Sequence, residues 1–176
     1  MKWEPGKILR RDARRIALSA MEAVKPDAAV KRALENVTLQ GNLYLVAVGK
    51  AAWQMANAAV NALDRPVVKG IVLTKYHHIQ GEIPGVTCME AGHPVPDENG
   101  FRGTQAILDM TAHLSASDTV LFLLSGGGSA LFEKPLVSAE ELREVTRRML
   151  ASGLDIVQMN TVRKRLSAVK GGRFAR

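Results

Sequence analysis

At 176 residues the chain is long enough for one domain with its own core, since domains cluster at about 100–150 residues. Its 47% hydrophobic and 23% charged content excludes the low-hydrophobicity, high-charge mix of a disordered chain. The single cysteine, Cys88, excludes an internal disulfide and a cysteine-rich metal site; it reads as a small buried apolar residue in a reducing compartment, so a cytoplasmic location is expected.

The net charge of +7 is unevenly spread. Residues 1–32 hold nine Lys/Arg against four Asp/Glu and residues 155–176 hold six against one, so each end carries +5 and the stretch between them −3. Basic ends can grip a phosphate backbone, yet no aromatic residues interleave them as stacking platforms, which argues against nucleic acid. The basic start lacks the apolar stretch of a signal peptide, and no run reaches the ~18 apolar residues of a membrane span.

Taken in chain order, residues 1–36 read as a helical flank. Ile8, Arg15, Ala17, Leu18, Met21 and Val24 recur at three-and-four spacing as a packing stripe, and Pro26 starts a second short helix. Leu43 to Val48 is a continuous apolar run meeting Gly49, the pattern of a strand buried on both faces. Ala52, Met55, Ala56, Ala59 and Leu63 then share one helical face. Val67 to Thr74 and Val86 to Glu90 read as further strands. Asp97 caps a helix with the face Thr104, Ile107, Leu108, Thr111 and Leu114. Thr119 to Leu124 is a fourth strand, and Ser138 with Glu141 forms a capping box for a helix through Leu142, Val145 and Met149. Strands alternating with helices specify an α/β, Rossmann-like three-layer domain: a mostly parallel sheet with helices on both faces.

Ligands of such sheets sit outside the carboxyl ends of the strands, so the turns leaving them are the candidate site. Ser125-Gly126-Gly127-Gly128-Ser129-Ala130 lets the backbone approach an anion and aims N–H groups at it, with two hydroxyls beside. It matches neither the P-loop nor the dinucleotide fingerprint. Lys50 leaves the first strand as a point charge for a phosphoryl or carboxylate group. His93 and Asp97 read first as a loop hydrogen-bonder and a helix cap. His77 and His78 point opposite ways along an extended chain, so joint metal binding is not expected. From Asp155 to Val169 a helix is expected, with Ile156, Met159, Val162, Leu166 and Val169 as its buried stripe. Asn160, Arg163, Lys164 and Ser167 then share its polar flank, suited to a small hydroxy acid or phosphate. Lys170-Gly171-Gly172 ends that helix and adds a lysine. Lys50, the triple-glycine turn and this flank are expected to converge on one pocket for negative charge.

Four blocks carry a resemblance: Val48-Gly49-Lys50-Ala51-Ala52, Gly92 through Gly100, Ser125 through Leu131, and Asn160 through Ser167 with Lys170-Gly171-Gly172-Arg173. Together, in this order, they resemble the amino-terminal domain of the type II glycerate kinases (the glycerate 2-kinases, also grouped as MOFRL proteins and once often labelled hydroxypyruvate reductases). The resemblance implies a domain over residues 1–176 that pairs with a carboxyl-terminal domain, with D-glycerate and ATP in the cleft between them. The implied reaction moves the ATP γ-phosphoryl group to the 2-hydroxyl, giving 2-phosphoglycerate, with Mg²⁺ assisting. Lys50 is then the cleft lysine and catalytic; Ser125, Gly126, Gly127, Gly128 and Ser129 hold an anionic group; Asn160, Arg163, Lys164, Ser167 and Lys170 bind substrate or phosphate, with no protein-built metal site. Two positions depart from the family pattern: Arg165 replaces a histidine, and His77 stands where glycine is common. The chain stops before the family's acidic segment, so it is expected to be a fragment, a truncated reading frame or part of a split enzyme, inactive alone. The expected partners are the two substrates and the carboxyl-terminal domain, with no nucleic acid and no membrane; a homodimer stays open. A non-catalytic glycerate- or nucleotide-binding module is the alternative. A hydroxypyruvate reductase is opposed by the absence of a dinucleotide fingerprint after any strand.

Overall fold

The apolar runs become strands of one sheet, buried most completely in the two central strands, residues 43–48 and 69–75. A computed structural model of the chain describes residues 5–175, so residues 1–4 of the expected flank lie outside the described residues. The strands are β1 (Leu43–Val48), β2 (Lys69–Lys75), β3 (Val86–Ala91) and β4 (Thr119–Leu124). They pair in the order β3-β2-β1-β4, every pair parallel. Side chains alternate between the faces, as the pleat requires. Leu43, Leu45 and Ala47 of β1 join Val72 and Leu123 under α2 (Pro26–Leu34) and α3 (Ala52–Ala62). Val46 and Val48 join Ile71 and Leu73 under α4 (Glu98–Thr111) and the short α5 (Gly128–Leu131). This is the three-layer α/β fold expected from the sequence. Leu43 and Leu45 are fully buried, each contributing about 1.5–3 kcal/mol relative to exposure.

The caps hold the helices where the sequence put them. Asp97 accepts from the Gly100 N–H at 2.9 Å. Ser138 and Glu141 form the expected capping box for α6 (Ala139–Ala151). Asp155 and Gln158 form a second box for α7 (Ile156–Arg165), which the sequence reading had not singled out.

Two expectations are corrected. First, the stripe of α1 (Pro5–Ala23) does not pack: Leu18 and Met21 are exposed, and so is Val24 just beyond it. No described element lies against that face, and Val30 of α2 is the first residue to enter the core. Second, α7 ends at Arg165 rather than Val169. Residues 166–168 leave the helix to pair with 134–136: Leu136 N–H donates to the Leu166 carbonyl at 2.9 Å and Ala168 N–H to the Lys134 carbonyl at 2.8 Å. No residue of α7 is buried, and Ile156 of the expected stripe is exposed. No helix among the described residues is long and apolar enough to cross a membrane.

A loop rather than a helix joins β2 to β3. The Glu90 carboxylate gathers it, accepting from His78 N–H at 2.9 Å and Ile79 N–H at 3.0 Å. Burial pushes the Glu90 carboxyl up, but the N–H groups of Ile79, His77 and His78 outweigh it and hold it below its ordinary value. His77, with φ 65°, is the one non-glycine residue with positive φ among the described residues, which accounts for a glycine being suited to that position. His77→Gly is therefore expected to raise stability by about 1 kcal/mol, a thermal midpoint gain of about 2–4 °C. An unchanged or lower midpoint by circular dichroism would contradict this.

Candidate functional site

The sheet order places β1 beside β4, with the chain running outward from β1 to β2 and β3 on one side and returning to β4 on the other. A crevice opens at such a switch point, outside the carboxyl ends of the two strands. The turns leaving them are locked together. Ser125 N–H donates to the Val48 carbonyl at 2.9 Å and Lys50 N–H to the Gly126 carbonyl at 2.9 Å. The Ser125 hydroxyl accepts from Ala51 N–H at 3.1 Å and donates to the Val48 carbonyl at 3.3 Å, so it ties the turns together. Gly49 has φ 121°, and a methyl group there would lie 2.6 Å from the Ser125 carbonyl oxygen; only glycine allows this closeness.

The glycine turn offers donors. Neither Gly126 nor Gly127 N–H meets an acceptor among the described residues. A methyl group on Gly127 would lie 2.8 Å from His93 Nε2 and 3.2 Å from Lys50 Cγ, so both side chains stand against the turn. The Lys50 ammonium has no carboxylate partner among the described residues. Its backbone is fixed from beneath by His78, whose Nδ1–H donates to the Lys50 carbonyl at 2.7 Å. Asp97 fixes the turn that carries His93, taking the Tyr76 hydroxyl at 2.6 Å as well as capping α4. Burial works to raise the Asp97 carboxyl, yet the Tyr76 hydroxyl and the N–H groups of Gly92, Gly100 and Asn99 hold it below its usual range.

At its far end, Gly128 and Ser129, the turn borders a cavity of about 530 Å³ that Asn160, Arg163, Lys164 and Lys170 also line. Lys50 is not in that lining; it touches the turn at Gly126 and Gly127. The turn is thus a wall shared by two cationic neighbourhoods rather than the floor of one pocket. Ser167 does not join the polar flank, because the helix has already ended: it is fully buried and its Oγ accepts from Val169 N–H at 3.3 Å. Lys170 lines the cavity, but its ammonium is held by Glu133 and by the Phe132 carbonyl at 3.1 Å. Burial pulls the Lys170 pKa down while Glu133 pulls it up, with a net lowering. Removing either partner of so buried a pair leaves an uncompensated charge. Arg165 is exposed at the end of α7 and lies outside the cavity lining. A wider cleft of about 790 Å³ lined within 31–39 and 61–65 opens near the amino ends of β1 and β2 and holds none of these groups.

Sequence reasoning read His93 as a loop hydrogen-bonder, without its neighbour Gly127, and passed over Lys75 and Glu133. Position at a strand's carboxyl end would have flagged Lys75. Burial first, then the charges of Lys50 and Lys75, lower the His93 pKa, leaving a neutral imidazole against the turn at neutral pH. The sign follows: stability that depends on the neutral ring is full above the ordinary value of 6.5 and is lost as pH falls through the lower folded value. Ring-proton titration by NMR should therefore place His93 below 6.5, with an upward move in Lys50→Ala. A His93 titrating at or above the ordinary value would contradict the placement.

Known proteins match this chain along most of its length. It is 53% identical over 169 residues to the D-glycerate 2-kinase of Thermotoga maritima, covering 95% of this chain and 40% of that protein. The glycerate 2-kinase of Pyrococcus horikoshii is 38% identical over 175 residues, covering 92% of this chain and 39% of that one. The crystal structure of the Thermotoga maritima glycerate kinase superposes with a TM-score of 0.89 at 52% identity, over 96% of this chain and 41% of the other. This chain therefore spans about two fifths of the length of these relatives. The family described as a domain of unknown function, DUF4147, matches residues 12–176, and to that family this chain belongs.

Proposed function

We propose that this chain supplies the anion-binding part of a glycerate 2-kinase. The observation that carries the reading is the Lys50 side chain set against Gly126 and Gly127, with no carboxylate on its ammonium and no acceptor on those two N–H groups among the described residues, in a chain so similar to the Thermotoga maritima enzyme. In the proposed reaction the glycerate 2-hydroxyl oxygen bonds to the γ-phosphorus of ATP. The bond from that phosphorus to the β–γ bridging oxygen breaks, ADP leaves, and the hydroxyl proton is released. Such transfer asks the protein mainly for positioning and neutralisation of spread negative charge. Lys50 and the glycine turn meet the transferring phosphoryl group, and Arg163 and Lys164 meet further charge on the nucleotide. Neutral His93 is placed to hydrogen-bond glycerate without repelling Lys50.

Mg²⁺ would reach such a site with the ATP phosphates. Among the described residues no group of three or more His, Cys, Asp or Glu could hold a metal ion, so the residues present do not build a site for it and no step is assigned to the ion. The cytoplasm is the proposed compartment.

The test mixes this chain with D-glycerate and Mg-ATP, alone and with the complementary portion of the Thermotoga maritima kinase, and follows ADP. Turnover is expected only with the complement, and Lys50→Ala should lower kcat/KM by about 10²–10³ while leaving the circular dichroism unchanged, because Lys50 is exposed. Full activity of Lys50→Ala, turnover by the chain alone, or no ADP in any mixture would contradict the reading in its respective part.

A further inference from the structure

The cavity beside Gly128 and Ser129 has a character that glycerate does not need. Its floor is apolar, made by Phe122, Leu124, Phe132, Val169 and Phe174. The three phenylalanine rings pack edge-on or tilted with centroids 5.1–5.8 Å apart, a rigid aromatic base. Leu124, at the carboxyl end of β4, is left 62% exposed. The rim carries Asn160, Arg163 and Lys164, and no carboxylate is in the lining. At about 530 Å³ the space is in the range of sites for small ligands, about 300–1,000 Å³.

We propose that this cavity seats the purine base and ribose of the nucleotide, with the phosphates running from the Arg163 and Lys164 rim across the glycine turn toward Lys50. The assignment rests on the kinase reading above and adds the place of the donor. Glycerate is polar on all three carbons and gains nothing from Phe122 or Leu124, whereas a flat heterocycle gains from burial against both. The Asn160 amide has a donor and an acceptor to offer a base edge or a ribose hydroxyl. Charge complementarity fixes the direction: the anionic end of a ligand whose base lies on the apolar floor is drawn to the cationic rim and the turn. Glycerate then takes the Lys50 and His93 side, and the γ-phosphorus meets it over Gly127.

The experiment is calorimetric titration of this chain with Mg-ATP and, separately, with Mg-tripolyphosphate, which carries the charge without the base. ATP is expected to bind at least about tenfold tighter. Leu124→Gln, at an exposed position, should weaken ATP by about tenfold and leave tripolyphosphate unchanged. Asn160→Ala provides a second arm with the same expected pattern should Leu124→Gln fail to fold. Equal affinity for ATP and tripolyphosphate, or variants that leave ATP binding unaltered, overturns the base assignment and leaves the kinase reading standing. If ATP and tripolyphosphate both fail to bind, with the complement of the enzyme present as well as absent, both fall; ATP binding only when the complement is added places the base elsewhere and overturns the assignment alone.

Discussion

The site depends on the hydrogen bonds that lock the turn after β1 to the turn after β4. Parallel neighbours end side by side, so Val48 and Leu124 bring Gly49-Lys50-Ala51 and Ser125-Gly126-Gly127 level with one another. Ser125 closes the junction through its backbone and its hydroxyl, and the missing side chain of Gly49 lets the two backbones meet. The buried strand β1 and its paired neighbour β4 thereby hold Lys50 and the glycine turn in fixed register. The surrounding contacts serve the same junction. Glu90 gathers the loop that carries His78, His78 holds the Lys50 carbonyl, and Asp97 holds the turn that carries His93.

Charge follows the same plan. The positive excess at the carboxyl end of the sequence is delivered by α7 to the rim of the cavity, as Arg163 and Lys164. Most of the excess at the amino end lies on α1, whose apolar residues are also exposed. A single net charge therefore hides two basic regions in different settings. Among the described residues only the carboxyl-terminal one borders the glycine turn.

How much of this was legible depends on the range of the interaction that decides each element. Leu43–Val48 was readable because a strand buried on both faces writes a continuous apolar run, Thr119–Leu124 because its apolar run persists at the half-buried sheet edge, and Asp97 and Ser138 because a cap is decided within four residues. The glycine turn and Lys50 were readable from their place after strands. The end of α7 was not, because residues 166–168 are taken by a distant partner at 134–136, and helical periodicity continued past Arg165. Ser167 was misplaced for the same reason, and although Lys170 does line the cavity, Glu133, far away in the chain, claims its ammonium. The place of His93 was not legible because its neighbour at the turn, Gly127, is 34 positions further along the sequence. The stripe on α1 was a real amphipathic pattern, but periodicity tells which face is apolar and not what covers it.

The interlocked turns as an anion site are tested most directly by following backbone amide signals of the ¹⁵N-labelled chain during titration with D-glycerate. The amides of Gly126, Gly127 and Lys50 should move together along one saturable curve, with the His93 ring responding in step. Perturbations confined to the cleft within 31–39 and 61–65, with the glycine turn unmoved at saturation, would contradict the account.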